Sequence, residues 1–230
     1  MIPITIEDYK IQCKKSVDKF KKILPLKVNH GGIFLSEGFS FCAMCDLFNI
    51  DVIIESGVCN GFSTDIFSSY FTEKPAICSV DYKVKDEVRQ RFSNRKVSFF
   101  EGDGNKVVLD VVENQSSSDK VGIFLDGPKG NDAITLAQKC LKYDNVKFVG
   151  IHDLFKNIKM YNLAVINGEK PFPRKVMEEA NNSFMFTDED WFVGGYSWID
   201  NNTGVSSMNS ELGSYGYTIG YLVGKENLND

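Results

Sequence analysis

The chain has 230 residues, of which 43% are hydrophobic and 25% are charged, and this size and composition fit one globular α/β domain covering residues 1–230. The formal net charge of −5 disfavours a nucleic-acid backbone as the main partner, since such partners select basic surfaces. No stretch is apolar enough to cross a membrane and no signal-peptide pattern is visible, so we expect a cytoplasmic protein with no membrane partner.

The first 50 residues predict two helices that cover the rest of the domain. Apolar residues recur every three or four positions from Ile6 to Leu24, which is the spacing of an amphipathic helix. A mostly apolar helix then runs from Ser36-Glu37 to Phe48, and a helix in this position covers the sheet and edges its ligand site. Cys42 and Cys45 lie in this second helix without a second cysteine pair, so we expect buried free thiols rather than a metal site.

A short buried strand from Asp51 to Glu55 is followed by a glycine turn and a helix that begins near Gly61. Gly57 and Gly61 allow a tight turn and a close approach of the backbone to a ligand. A dinucleotide site would place a third glycine in this turn, whereas here Glu55 precedes the first glycine. Because a carboxylate repels phosphate and attracts a cation, the turn favours a cationic ligand.

The segment Glu55-Ser-Gly57-Val-Cys-Asn-Gly61-Phe-Ser63 resembles motif I of class I methyltransferases that use S-adenosylmethionine, a cofactor with an ammonium and a sulfonium group. More narrowly, it is similar to the same segment of the catechol O-methyltransferase-like group, which includes sugar O-methyltransferases. The resemblance implies that Glu55, Gly57, Gly61 and Ser63 bind this cofactor.

Two further strand ends carry polar residues that suit a nucleoside. Asp81 ends a strand that starts at Ala76, about 20 residues past the glycine turn, where such folds place the carboxylate that binds the ribose hydroxyls. A helix N-cap is the alternative role for Asp81. If Asp81 binds the ribose, Tyr82 would lie against the adenine. The next strand, from Val97, ends in a turn that the methyltransferase resemblance places at the adenine edge, although turn chemistry alone explains its residues, Asp103, Gly104 and Asn105.

The fourth and fifth strands end in groups that could serve catalysis. Asp126 closes the strand from Val121, and Asp153 closes the strand from Val146, so two carboxylates are expected side by side as a Mg²⁺ site. Asp126-Gly-Pro-Lys129 also resembles the D-x-x-K of the catechol O-methyltransferase-like group, which implies that Asp126 binds metal and Lys129 takes the proton.

The sequence departs from that group after Asp153, where Leu154 replaces the usual third ligand. His152 could substitute as a ligand or as the general base, although neighbouring residues on a strand point to opposite faces.

Five strand–helix alternations with polar strand ends predict a Rossmann-like, doubly wound, mostly parallel sheet with helices on both faces. Residues 1–50 would cover the sheet, 51–155 would form the cofactor-binding core, and 156–230 would form the substrate side with antiparallel closing strands. The clearest of these strands is Tyr215 to Val223. Four aromatic residues either line a substrate pocket or belong to the core: Trp191, Phe192, Tyr196 and Trp198.

Together these features predict an S-adenosylmethionine-dependent O-methyltransferase that acts on a hydroxyl of a small molecule. A sugar is the preferred acceptor, because His152, Asp153 and the polar C-terminal segment suit a polyol. Mg²⁺ assistance and a homodimer both stay open. The alternatives are a methyltransferase of a protein or RNA target, a nicotinamide-dependent oxidoreductase, and a binding module without catalysis.

Overall fold

The computed structural model describes residues 4–23, 26, 33, 35–152, 184–187 and 219–223. In chain order the helices and strands of this part are α1 (Ile6–Lys21), α2 (Leu35–Phe48), β1 (Val52–Ser56), α3 (Phe62–Tyr70), β2 (Ala76–Asp81), α4 (Asp86–Arg91), β3 (Val97–Glu101), α5 (Gly104–Glu113), β4 (Val121–Leu125), α6 (Asn131–Cys140), β5 (Val146–His152), β6 (Phe184–Thr187) and β7 (Ile219–Val223).

The seven strands form one sheet in the order β3-β2-β1-β4-β5-β7-β6. The strands from β3 to β5 are parallel, and β7 pairs antiparallel with both β5 and β6. From β1 the chain adds β2 and β3 on one side of β1 and then crosses to β4 on the other side of β1. The direction in which strands are added therefore reverses between β1 and β4. Ligands of open α/β sheets bind in the crevice at this point, outside the carboxyl ends of the strands. The predicted fold is therefore confirmed.

Helices cover both faces of the sheet, and each face has its own apolar core. Ile53 of β1 packs in a core with residues of α1, α2 and α3, whereas its neighbour Ile54 packs in a core with residues of α5 and α6. This alternation follows from the period of two along a strand. Glu55 has the parity of Ile53, so its side chain lies on the face of α1, α2 and α3.

A chain of buried hydroxyls ties the N-terminal helices to the closing strand. Ser40 Oγ of α2 lies 2.5 Å from Tyr9 Oη of α1 and 2.7 Å from Tyr221 Oη of β7, and all three side chains are buried. Hydrogen bonds between buried polar groups stabilise a fold mainly because leaving such groups unpaired is costly.

We expect Ser40→Ala to lower the free energy of unfolding by about 1–3 kcal/mol, since two buried tyrosine hydroxyls each lose a hydrogen bond. Urea unfolding followed by circular dichroism measures the change. The control is Ser118→Ala on an exposed loop, which should change stability by less than about 0.5 kcal/mol. Equal stability of the two variants would contradict the role of Ser40.

Several sequence predictions concern residues outside the described part of the chain: Asp153, Leu154, Trp191, Phe192, Tyr196, Trp198 and residues 215–218. Cys42 and Cys45 are buried free thiols, as predicted, and burial raises the pKa of both well above the usual range. Among the described helices, none combines the length and the apolar character that crossing a membrane requires.

Candidate active site

The loops that follow β1 and β4 are joined by hydrogen bonds at the reversal of strand order. The carbonyl oxygen of Ser56 accepts from the backbone N–H groups of Asp126 at 2.8 Å and Gly127 at 3.1 Å. Gly57 has a φ of 99°, and a Cβ there would lie 3.0 Å from the backbone of Asp126 and Gly127. Only glycine accommodates both the left-handed backbone and this contact, so the turn places Asp126 beside β1.

Gly61 caps α3 with a φ of 80°. A Cβ at this position would come within 2.8 Å of the Phe92 ring and 3.3 Å of Val88. The glycine is therefore required by its backbone conformation and by close packing against α4, apart from any approach to a ligand.

Glu55 is fully buried at the end of β1. Its Oε2 accepts hydrogen bonds from Thr64 at 2.6 Å and Ser79 at 2.7 Å, whereas Oε1 has no partner of standard geometry among the described residues. Burial raises the pKa of Glu55 and Asp126 adds to this effect, while the Ser63, Thr64 and Ser79 hydroxyls oppose it. An orphaned carboxylate oxygen without solvent contact is costly, and a cationic group at this position would compensate it.

Asp81 holds the glycine turn from the neighbouring strand. Its Oδ2 accepts from the backbone N–H groups of Val58 at 2.8 Å and Cys59 at 2.9 Å. The alternative of a helix N-cap is wrong, because α4 begins at Asp86 and Lys85 occupies the cap position. The ring of Tyr82, directly after Asp81, is 75% exposed and presents an aromatic face at the same edge of the sheet.

The third predicted turn also lies near β1. Asp103 caps α5 by accepting from the N–H of Asn105 at 3.0 Å, so helix capping accounts for this aspartate. A Cβ on Gly104 would lie 2.8 Å from Ser56 Oγ, so the first turn of α5 packs closely against the end of β1.

A chain of ionisable side chains crosses the ends of β4 and β5. Glu37 of α2 is fully buried, and its Oε1 lies 2.8 Å from Nδ1 of His152, which is also buried. His152 Nε2 lies 3.6 Å from Asp126 Oδ1, the same oxygen that accepts a hydrogen bond from Lys129. Burial raises the pKa of the Asp126 carboxyl, as does Glu37, while His152 and Lys129 oppose the shift.

Sequence reasoning placed His152, Asp126 and Lys129 in the site but missed Glu37. The signal for it was an acidic residue in the first turn of a mostly apolar helix, which also contains Asp46. Of the two predicted metal ligands, Asp126 is described and Asp153 is not. No group of three or more potential metal-binding side chains occurs within the described ranges.

Neither protein-family models nor curated protein sequences match this chain. Among solved structures, the O-methyltransferase from Bacillus cereus in complex with SAH is similar, with 12% identity, a TM-score of 0.51, and coverage of 93% of this chain and 90% of that one. The O-methyltransferase TomG from Streptomyces achromogenes, in complex with SAM, has 14% identity, a TM-score of 0.48, and coverage of 93% and 89%. The likeness to the Bacillus protein shows that this chain has the Rossmann-like fold of an O-methyltransferase.

Proposed function

We propose that the protein transfers a methyl group from S-adenosylmethionine to a hydroxyl of a small molecule. The observation that carries this proposal is the buried Oε1 of Glu55, which has no hydrogen bond of standard geometry to any described residue and lies next to the crevice where strand order reverses. A nucleotide phosphate would be repelled by Glu55 and Asp126, whereas the ammonium group of this donor would be attracted by both.

The described residues fit the other parts of the donor. Asp81 keeps its Oδ2 on the glycine turn and would use Oδ1 for the ribose hydroxyls. Tyr82 would stack on the adenine, and the turn at Asp103, Gly104 and Asn105 would edge the base. Gly57, Gly61 and Ser63 would shape the pocket around the amino-acid end.

The bound donor would supply a methyl group on a cationic sulfur, and transfer to oxygen requires the hydroxyl to lose its proton. The protein must therefore align the hydroxyl and accept that proton. His152 is the better placed base, because it is buried and its Nδ1 is already bonded to Glu37. Lys129 is half-exposed and donates a hydrogen bond to Asp126, so its amino group is less enclosed than the His152 ring.

The described part of the predicted magnesium site does not fit a divalent cation. Lys129 donates to Asp126 Oδ1, and the His152 ring lies beside the same oxygen. A metal ion bound to Asp126 would have to displace Lys129 and would lie beside the His152 ring. In the proposed reaction Asp126 serves to hold Lys129 and to face His152.

A sugar hydroxyl is the acceptor class to test first, followed by phenols. His152 and Asp126 together present one basic and one acidic group at the crevice, which suits hydrogen bonding to a polyol. A transfer to oxygen on a small molecule needs no basic surface, in keeping with the net charge of −5.

Calorimetric titration should detect S-adenosylmethionine binding at micromolar concentration and no comparable binding of NAD⁺. Asp81→Asn should weaken donor binding by about ten- to a hundredfold, because asparagine can still hold the glycine turn but loses the charge that favours the ribose hydroxyls.

The matched control is Asp86→Asn on the exposed start of α4, which should bind the donor as the unaltered protein does. EDTA should leave the affinity unchanged. No donor binding, or NAD⁺ binding instead, would refute the proposed function. Once donor binding is established, a screen of sugar and phenolic hydroxyls with radiolabelled donor identifies the acceptor.

A further inference from the structure

Glu37 and His152 form a buried pair that joins α2 to the end of β5. The exposed fraction is 0% for Glu37 and 6% for His152, and Glu37 Oε1 lies 2.8 Å from His152 Nδ1. The two residues are 115 positions apart in the sequence. A carboxylate withdrawn this far from water is costly unless it has a partner, so the contact belongs to the fold and is not an accidental surface pairing.

The pair defines the hydrogen position on the imidazole ring. If Glu37 is ionised, its oxygens can only accept hydrogen bonds, and Nδ1 then carries the hydrogen that bonds to Glu37. In the neutral ring, Nε2 then carries the lone pair. Nε2 faces the crevice, since it lies 3.6 Å from Asp126 Oδ1 at the end of the adjacent strand. This separation is too long for a hydrogen bond but places the basic nitrogen at the site.

We infer that Glu37 is a positioning residue, which holds His152 with hydrogen on Nδ1 and the Nε2 lone pair directed at the acceptor hydroxyl. This inference rests on the proposed function. In the transfer, an oxygen lone pair forms the new bond to the methyl carbon, and the carbon–sulfur bond breaks with its electrons remaining on sulfur. The hydroxyl proton passes to Nε2. The resulting imidazolium lies between the carboxylates of Glu37 and Asp126, both of which stabilise its charge.

A merely structural role for the pair makes different predictions from a positioning role. A structural pair would contribute stability alone, so its loss would lower unfolding temperature without a specific effect on turnover. A positioning residue also determines the tautomer, and its loss lowers kcat more than it changes KM or donor affinity.

The tautomer is measured by nitrogen-15 NMR of the full chain labelled in its histidine rings. The chain has two histidines, so the His30→Gln background leaves one ring, that of His152. Spectra are recorded at about pH 9, above the ordinary titration range of histidine. We expect the Nδ1–H form in the background protein and in Glu37→Gln, whose amide oxygen still accepts from Nδ1. Glu37→Leu should shift the ring towards the Nε2–H form.

Turnover is measured in the same variants with the acceptor identified by the screen. Glu37→Leu should lower kcat about a hundredfold, while KM and donor affinity change less than about threefold. Glu37→Gln should lower kcat less than Glu37→Leu does, because glutamine keeps the Nδ1–H tautomer of His152 and removes only the negative charge. The control is Asp65→Asn, which removes the charge of another buried carboxylate, the one that contacts the partly exposed Arg95 at 2.7 Å just before β3. It should lower stability and leave kcat unchanged.

The outcomes separate this inference from the proposed function. Absence of donor binding refutes the proposed function, and the catalytic role of Glu37 falls with it. If the donor binds but the background protein carries the Nε2–H tautomer, only the inference on Glu37 is overturned. The same holds if Glu37→Leu changes the tautomer but retains full kcat, or if Asp65→Asn loses as much kcat as Glu37→Leu.

Discussion

Glu55→Gln is expected to weaken S-adenosylmethionine binding by about a hundredfold and, at the same time, to raise the free energy of unfolding by about 1 kcal/mol at neutral pH. Glutamine keeps an oxygen for Thr64 and Ser79 but removes the charge that would attract the donor's ammonium. The same charge is fully buried, and among the described residues only one of its two oxygens has a hydrogen bond of standard geometry, so removing the charge should stabilise the fold.

The stability gain should depend on pH in a defined direction. Because burial raises the pKa of Glu55, the folded protein prefers the protonated carboxyl more strongly than the unfolded chain does. The stability that Glu55 contributes is therefore fully present below the unfolded-state pKa and is lost as pH rises through the folded-state pKa. Glutamine does not titrate, so its advantage over Glu55 should be large at neutral pH and should shrink on acidification.

Urea unfolding across this pH range and calorimetric titration of the donor measure the two effects. Glu87→Gln, which removes one negative charge from an exposed position on α4, is the control and should change neither quantity appreciably. Unchanged donor affinity in Glu55→Gln would show that Glu55 does not contact the ammonium. If Glu55→Gln is less stable than the unaltered protein at neutral pH, the buried charge of Glu55 is stabilised by its surroundings, contrary to the expectation from Oε1.

His152→Ala should lower kcat by about a hundredfold to ten-thousandfold, the usual contribution of a general base, whereas Lys129→Met should cost less than about tenfold. The physical reason is the difference in surroundings. His152 is buried between Glu37 and Asp126, while Lys129 is half-exposed and already paired with Asp126. Single-turnover transfer from radiolabelled donor measures the chemical step, and donor affinity should stay within about threefold in both variants.

The reverse order of effects would assign the proton to Lys129. In that case Lys129→Met would lose most of the rate and His152→Ala would retain it. A rate loss of similar size in both variants would indicate that Asp126, His152 and Lys129 act as one unit, as coupled groups in active sites do. Asp126→Asn would then be the informative third variant.

The order of elements from β1 to β5 could be predicted from the sequence because each strand is a short apolar run that ends in a polar residue. The periodicity that predicts an element does not reveal its partners, however. Asp81 was correctly placed at the end of β2, but its two bonds to the glycine turn depend on how β1 and β2 align. The sequence predicted that Gly61 lets the backbone approach a ligand. The structure shows a further reason for the glycine, its close packing against Phe92.

The pairing of Glu37 could not be predicted, because nothing local connects residues 115 positions apart. Glu37 is one of two acids in a mostly apolar helix, and its position in the first turn does not reveal whether it is buried. Strand β6 (Phe184–Thr187) was expected only as one of the antiparallel closing strands within residues 156–230, since its four residues are too few for a periodic signal.

The pairing of β5 with β7 also bears on the order in which the protein is completed during translation. His152 aligns with Ile219, so its strand is flanked on one side by chain that the ribosome makes 67 residues later. Until residues 219–223 have emerged, β5 is an unprotected edge that carries the proposed base. Such edges pair readily with other strands. A nascent or prematurely terminated chain would therefore expose this strand to aggregation.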